Sequence, residues 1–173
     1  MLRLAEIVQS AINPALALLP AVMDSPRARV MLLASGLQES RFEYRRQLGN
    51  GPARGFWQFE RGTRASRGGV WGVYLHKDTA EDLRLLCRAR DCPFDPGAIW
   101  AQLEHDDVLA AGVARLLLWT DPYPLPELGD AEGAWKLYAE RTWRPGKPHK
   151  RTWGGFYAAA LQEVTPSTPK GSA

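Results

Sequence analysis

Apolar positions along this chain recur mostly at helical spacing. Leu4, Ile7, Val8, Ala11 and Ile12 form one stripe, which predicts a helix over 4–19. Val30, Leu33, Ala34 and Leu37 repeat at i, i+3, i+4 and i+7, with Ser25 as N-cap and Pro26 at the first helical position, and predict a buried helix to about Ser40. Six glycines between 50 and 72 interrupt the periodicity and predict an irregular segment with one short strand at 70–75. Thr79 to Asp82 resembles a capping box and opens a helix to about Arg88; Asp95-Pro96 opens a shorter one with Ile99, Trp100 and Leu103. Asp106 or Asp107 starts a helix with Leu109, Val113, Leu116 and Leu117 inward, and its Ala110-Ala111-Gly112 permits close packing on a neighbour. Asp121-Pro122 stops it, Asp130 caps a helix carrying Trp135 and Tyr138, 143–153 reads as a basic loop, and 155–164 as a last helix. The pattern predicts a mainly α single domain over 1–164, of seven or eight helices with one glycine-rich irregular lobe, followed by a flexible tail at 165–173.

The 173 residues suit one domain with a core of its own. Apolar residues are 45% and charged residues 24%, which excludes wholesale disorder. No run of 18 apolar residues occurs, so no membrane-spanning helix is expected. The longest apolar stretch, 15–23, is interrupted by Pro20 and lacks a small-x-small cleavage site, so no signal peptide is expected either. Two cysteines are too few for a disulfide framework or a four-ligand zinc site; Cys87 and Cys92 read as free thiols, a local bridge requiring a turn at Pro93. The three histidines show no metal-ligand spacing, and no metal or cofactor is expected.

Net charge is only +3, but it is unevenly laid out: residues 41–90 sum to +6, 91–134 to −8 and 135–173 to +5. A basic face of this kind attracts polyanions, whether nucleic acid, anionic lipid or the bacterial wall.

One position breaks a local rule. Glu39 stands at the C-terminal end of the predicted helix from Pro26, where the helix dipole disfavours a carboxylate, and its neighbours Met31, Leu32, Leu33, Leu37 and Phe42 are apolar. Both effects raise a carboxyl pKa, and a carboxyl protonated near neutral pH is what a general acid needs. Downstream, Gly51-Pro-Ala-Arg-Gly-Phe-Trp-Gln-Phe59 sets a glycine-permitted turn beside aromatics and an amide. Gly55 would allow close approach of a ligand, Gln58 offers a donor and an acceptor to sugar groups, and Trp57 can stack on a sugar face.

Glu39-Ser40 followed by Ala53-Arg-Gly-Phe-Trp-Gln58 resembles the lysozyme-like superfamily, closest to lytic transglycosylases and goose-type lysozymes. In that family the signature is Glu-Ser, a spacer, then Gly-Ala-x-Gly-Leu-Met-Gln. Pro52 stands in place of the first Gly and Phe56-Trp57 in place of Leu-Met. Ala110 to Leu116 is similar to the family's small-residue helix, and Tyr138 matches the Tyr of its late Ala-Tyr-Asn, with Ala139 where the Asn would be. With Trp143 to Pro148, the whole is similar to small bacteriophage cell-wall lysins.

The resemblance implies a lysozyme-like α+β domain with at most a short hairpin. It implies cleavage of the β-1,4 bond between N-acetylmuramic acid and N-acetylglucosamine in peptidoglycan, with Glu39 as general acid. In a transglycosylase the same carboxylate then acts as base toward the sugar's 6-hydroxyl; in a hydrolase a second carboxylate activates water, and Glu60, Glu43 and the Glu104/Asp106/Asp107 cluster are candidates. Gln58, Trp57 and Tyr138 would bind substrate, with Glu60 facing the cleft and Ser40 orienting Glu39. The expected partner is the glycan strand of the wall, with release by a holin or carriage in a virion; no nucleic acid or integral membrane contact is expected. The alternatives are a non-catalytic virion protein, or a single-stranded nucleic-acid binder using the basic and aromatic residues of 41–67.

Overall fold

A computed structural model describes residues 3–166. Among these, eight helices make up the fold. α1 runs from Leu4–Ile7 through a π-helical stretch at Val8–Ile12 into Asn13–Ala17; α2 is Pro26–Ser40, α3 Gly69–Leu75, α4 Ala80–Ala89, α5 Pro96–Gln102 and α6 Asp107–Trp119. α7 is Ala131–Lys136 continued by a π-helical stretch at Leu137–Thr142, and α8 is Lys150–Val164.

α6 is the axis of the molecule. Asp106 caps it by accepting from the Leu109 N–H at 2.9 Å, and every residue from Leu109 to Leu118 is buried. α1, α2, α3 and α4 all pack on it. Gly112 lets the Leu86 side chain of α4 lie against the α6 backbone where a methyl group would collide. α2 is capped by Ser25 with Pro26 in its first turn, and α8 lies along it as the most extensive helix pair of the fold. This packing, rather than intrinsic propensity, stabilises such short helices.

The lysozyme-like α+β expectation with a hairpin is overturned. The described chain is all-helical, about 60% helix and 2% strand, with no sheet; only the mainly α class fits, and that in part. The lobe between α2 and α3 holds isolated bridges, Arg46 with Arg54 and Arg54 with Phe59, that never extend into a ladder. The expected strand at 70–75 is helix α3. Its first N–H groups at Val70 and Trp71 donate to the carbonyls of Glu60 and Arg61, so the lobe caps the helix end and outweighs the β preference of its valines. Thr79 makes no capping box either; its hydroxyl donates back to the Val73 carbonyl at 2.7 Å and closes α3 instead. α8 starts at Lys150, five residues before the glycine pair suggested. Of the predicted tail, 167–173 lies outside the described residues.

Candidate functional site

Glu39 sits in the last turn of α2. The helix stops because Arg41 and Phe42 both take left-handed conformations (φ 55° and 54°), which turns the Phe42 ring back onto Gly36. Glu43 therefore does not continue the face that carries Glu39. Phe42 packs edge-on against Phe56 and Trp57, 5.5 and 5.6 Å between ring centres, and this cluster is the apolar floor behind the α2 terminus.

A groove of about 1660 Å³ opens in front of that terminus, large enough for several sugar units. Glu39, Gln58, Glu60 and Tyr138 all line it, so four of the residues singled out from sequence come together. The Tyr138 hydroxyl donates to Glu39 Oε1 at 2.7 Å. Burial pushes the Glu39 carboxyl up to about 7, with the Tyr138 hydrogen bond pulling the other way. Burial and the neighbouring carboxylate hold the Tyr138 phenol far above its ordinary value, so it serves as a donor throughout the physiological range.

Tyr138 lies on the π-helical stretch of α7, where the Trp143 N–H reaches five residues back to the Tyr138 carbonyl at 3.0 Å. Single π turns of this kind often re-aim a functional side chain. Its ring stacks on Trp153 of α8 at 5.1 Å and lies beside Trp143 at 5.8 Å, so the hydroxyl is held on a rigid aromatic wall.

Gln58 takes a left-handed conformation (φ 48°), and its Nε2 donates to the Gly55 carbonyl at 2.8 Å. That bond fixes the amide and leaves its oxygen free to accept from a ligand. Glu60 is exposed on the groove wall, as is Glu43.

Trp57 and Ser40 are placed differently from the expected substrate contacts. Trp57 is fully buried, with its indole N–H donating to the Leu32 carbonyl at 2.8 Å. Ser40 is also fully buried. Its hydroxyl donates to the Phe56 carbonyl at 2.6 Å and accepts from the Phe42 N–H at 3.1 Å, tying the α2 terminus to the Gln58 turn. It acts on Glu39 only through the backbone. Gly55 (φ 74°) faces the interior too: a side chain there would meet the Leu103 carbonyl at 2.8 Å, so its bareness serves packing against the α5–α6 corner.

The acidic cluster is spoken for. Glu104 pairs with Arg54 at 3.0 Å, Asp106 caps α6 and pairs with Arg90, and Asp107 takes both ends of the Arg45 guanidinium at 2.7 and 2.8 Å. The same pairs occupy Arg45 and Arg54, of which only Arg54 is buried; Arg41, Arg46, Arg61, Arg64 and Arg67 are exposed, so most of the basic stretch 41–67 is solvated surface. The cations that line the groove are Arg41 with Arg144, Lys147, Lys150 and Arg151 of the α7–α8 loop and the start of α8.

Trp143 and Gln38 are site residues that sequence reasoning did not assign. The Trp143 indole N–H donates to the Trp57 carbonyl at 2.9 Å and spans the groove wall between α7 and the Gln58 turn. The Gln38 amide donates to the His149 carbonyl at 3.0 Å and accepts from the Thr152 hydroxyl at 3.1 Å, clamping α2 to the start of α8. The only available signal was the density of tryptophans after Tyr138. Among the described residues no three His, Cys, Asp or Glu side chains converge as a metal site, and no helix is long and apolar enough to cross a membrane.

What the arrangement can do is deliver a proton from a sheltered carboxyl to a ligand lying in a long, partly aromatic, basic-rimmed groove. No known protein family, characterised protein or solved structure matches this chain, so the functional reading rests on that geometry.

Proposed function

We propose that the protein cleaves the β-1,4 bond between N-acetylmuramic acid and N-acetylglucosamine in bacterial peptidoglycan, with Glu39 as the proton donor. The observation that carries the reading is the Glu39 carboxyl itself, held near neutral pKa by burial and facing a groove of about 1660 Å³. Such a carboxyl protonates the glycosidic oxygen as the bond breaks and positive charge builds on the sugar ring. The Tyr138 hydroxyl fixes the orientation of the carboxyl, and the free oxygen of the Gln58 amide suits an N-acetyl N–H or a sugar hydroxyl. The basic rim of Arg144, Lys147 and Arg151 suits the lactyl and peptide carboxylates of the wall.

The transglycosylase form of the reaction fits better than hydrolysis. The carboxylates of the 104–107 cluster are engaged in ion pairs or capping, and the two others on the groove, Glu43 and Glu60, are exposed on its walls. In the transglycosylase route Glu39, now ionised, accepts the proton of the muramyl 6-hydroxyl as that oxygen closes on the anomeric carbon, and no second carboxylate takes part.

Digestion of purified peptidoglycan followed by mass spectrometry of the fragments tests this. The expected products are muropeptides with 1,6-anhydro ends, absent with Glu39→Gln. Reducing ends would turn the assignment to a hydrolase, and intact glycan would overturn the enzymatic reading.

A further inference from the structure

We propose that Cys87 and Cys92 form a latent disulfide that closes across the C-terminus of α4 when the chain folds under oxidising conditions. The geometry that carries it is the way α4 ends. Asp91 takes a left-handed conformation (φ 50°), the Asp91 N–H points to the Arg88 carbonyl at 3.4 Å, and the Cys92 N–H donates to the Cys87 carbonyl at 2.9 Å. These are the two hydrogen bonds of a Schellman motif, with Asp91 at the first position past the cap. In that motif the residue three from the helix end and the second residue past the cap face each other, usually as an apolar contact. Here those two positions are Cys87 and Cys92, and both thiols are free.

The surroundings bear this out. Cys87 and Cys92 are 1% and 6% exposed, each thiol bears on the other's ionisation, and the Cys92 thiol rests against the Pro93 carbonyl at 3.5 Å. The turn is braced on its outer side. Arg90 pairs with Asp106, and the Gln102 amide donates to the Arg90 carbonyl at 2.9 Å. The main-chain bond from the Cys92 N–H to the Cys87 carbonyl already holds the two positions close, as disulfide geometry requires.

Burial sets when the bridge forms. It pushes the Cys87 thiol up to about 12, and only a thiolate attacks a disulfide. Closure therefore belongs to the folding chain, before α4 is covered, or to local opening of its last turn. With oxidised glutathione as oxidant, one cysteine thiolate attacks the glutathione disulfide and releases one glutathione thiolate. The second cysteine then displaces the other glutathione, leaving one protein disulfide and two glutathione thiols.

Refolding the reduced, denatured chain in oxidised glutathione, then alkylating under denaturing conditions, tests the proposal. The expected product is a monomer about 2 Da lighter than the reduced chain that takes no alkyl group. Its Tm should lie about 5 °C above that of the reduced protein, and Cys92→Ser, refolded alike, should show no such rise. Two alkyl groups, glutathione retained on both cysteines, or a disulfide-linked dimer would each overturn it. This outcome is independent of the wall-cleaving activity, which neither cysteine touches.

Discussion

The Tyr138 hydroxyl and the Glu39 carboxyl, 99 positions apart, meet at 2.7 Å on the wall of the groove. The bond joins the end of α2 to a π turn of α7 and supplies the hydrogen-bond donor that Glu39 has in an otherwise desolvating setting. Tyr138→Phe keeps the ring and its stacking on Trp153 while removing that donor. Because the hydroxyl draws the Glu39 pKa down, its loss moves the pKa further up. The alkaline limb of a pH–rate profile should shift to higher pH, with kcat about 10-fold lower at the optimum from lost positioning. An unmoved limb would show that the two groups are not coupled in solution.

Glu39 itself makes stability depend on pH. Its folded pKa of about 7 lies above the ordinary 4.5, so between those values the folded chain keeps a proton that the unfolded chain has released. Its contribution to stability is full below about 4.5 and is lost as pH rises through 7, a change of about 3 kcal/mol. Glu39→Gln does not titrate. Urea unfolding should find the variant gaining on the parent as pH rises from 4 to 8, while its lytic activity is abolished. A stability gap that stays constant with pH would contradict a desolvated carboxyl.

Ser40 is the covert support of the site. Ser40→Ala leaves the Phe56 carbonyl and the Phe42 N–H without their buried partner and should cost about 2–4 kcal/mol. Thermal unfolding reads this as a lower Tm, and activity measured well below that Tm should fall because the Gln58 turn is no longer fixed to the α2 terminus.

The two tryptophans on either side of the groove wall separate by readout. Trp57→Phe removes a buried hydrogen bond to Leu32 and should lower stability by about 1–2 kcal/mol with KM unchanged. Trp143→Ala removes a groove-lining ring and should raise KM several-fold for glycan substrates. Equal effects of both variants on KM would mean that Trp57 reaches the ligand after all.

The sequence alone determined the helices whose ends are marked locally. Ser25-Pro26, Asp95-Pro96, Asp106 and Asp130 all cap the helices expected of them, because a side-chain oxygen three residues before an N–H needs no distant partner. It also marked Glu39, since an acid at an apolar helix end is a local anomaly. Tertiary contact decided the rest. Val70 to Leu75 has strand composition but becomes helix because Glu60 and Arg61 offer their carbonyls to its first turn, and the described residues form no sheet for it to join. Trp57 and Gln58 are adjacent in the chain, yet one is core and the other groove, because the left-handed turn at Gln58 sends them to opposite sides. Of the basic residues of 41–67, Arg45 and Arg54 are held by carboxylates some 50 to 60 residues away while most of the others stay exposed, and the groove is rimmed mainly by a loop whose place near Glu39 is set by α8 packing along α2. Spacing along a chain encodes which groups share a helix face; which groups share a cleft depends on long-range packing that local pattern does not carry.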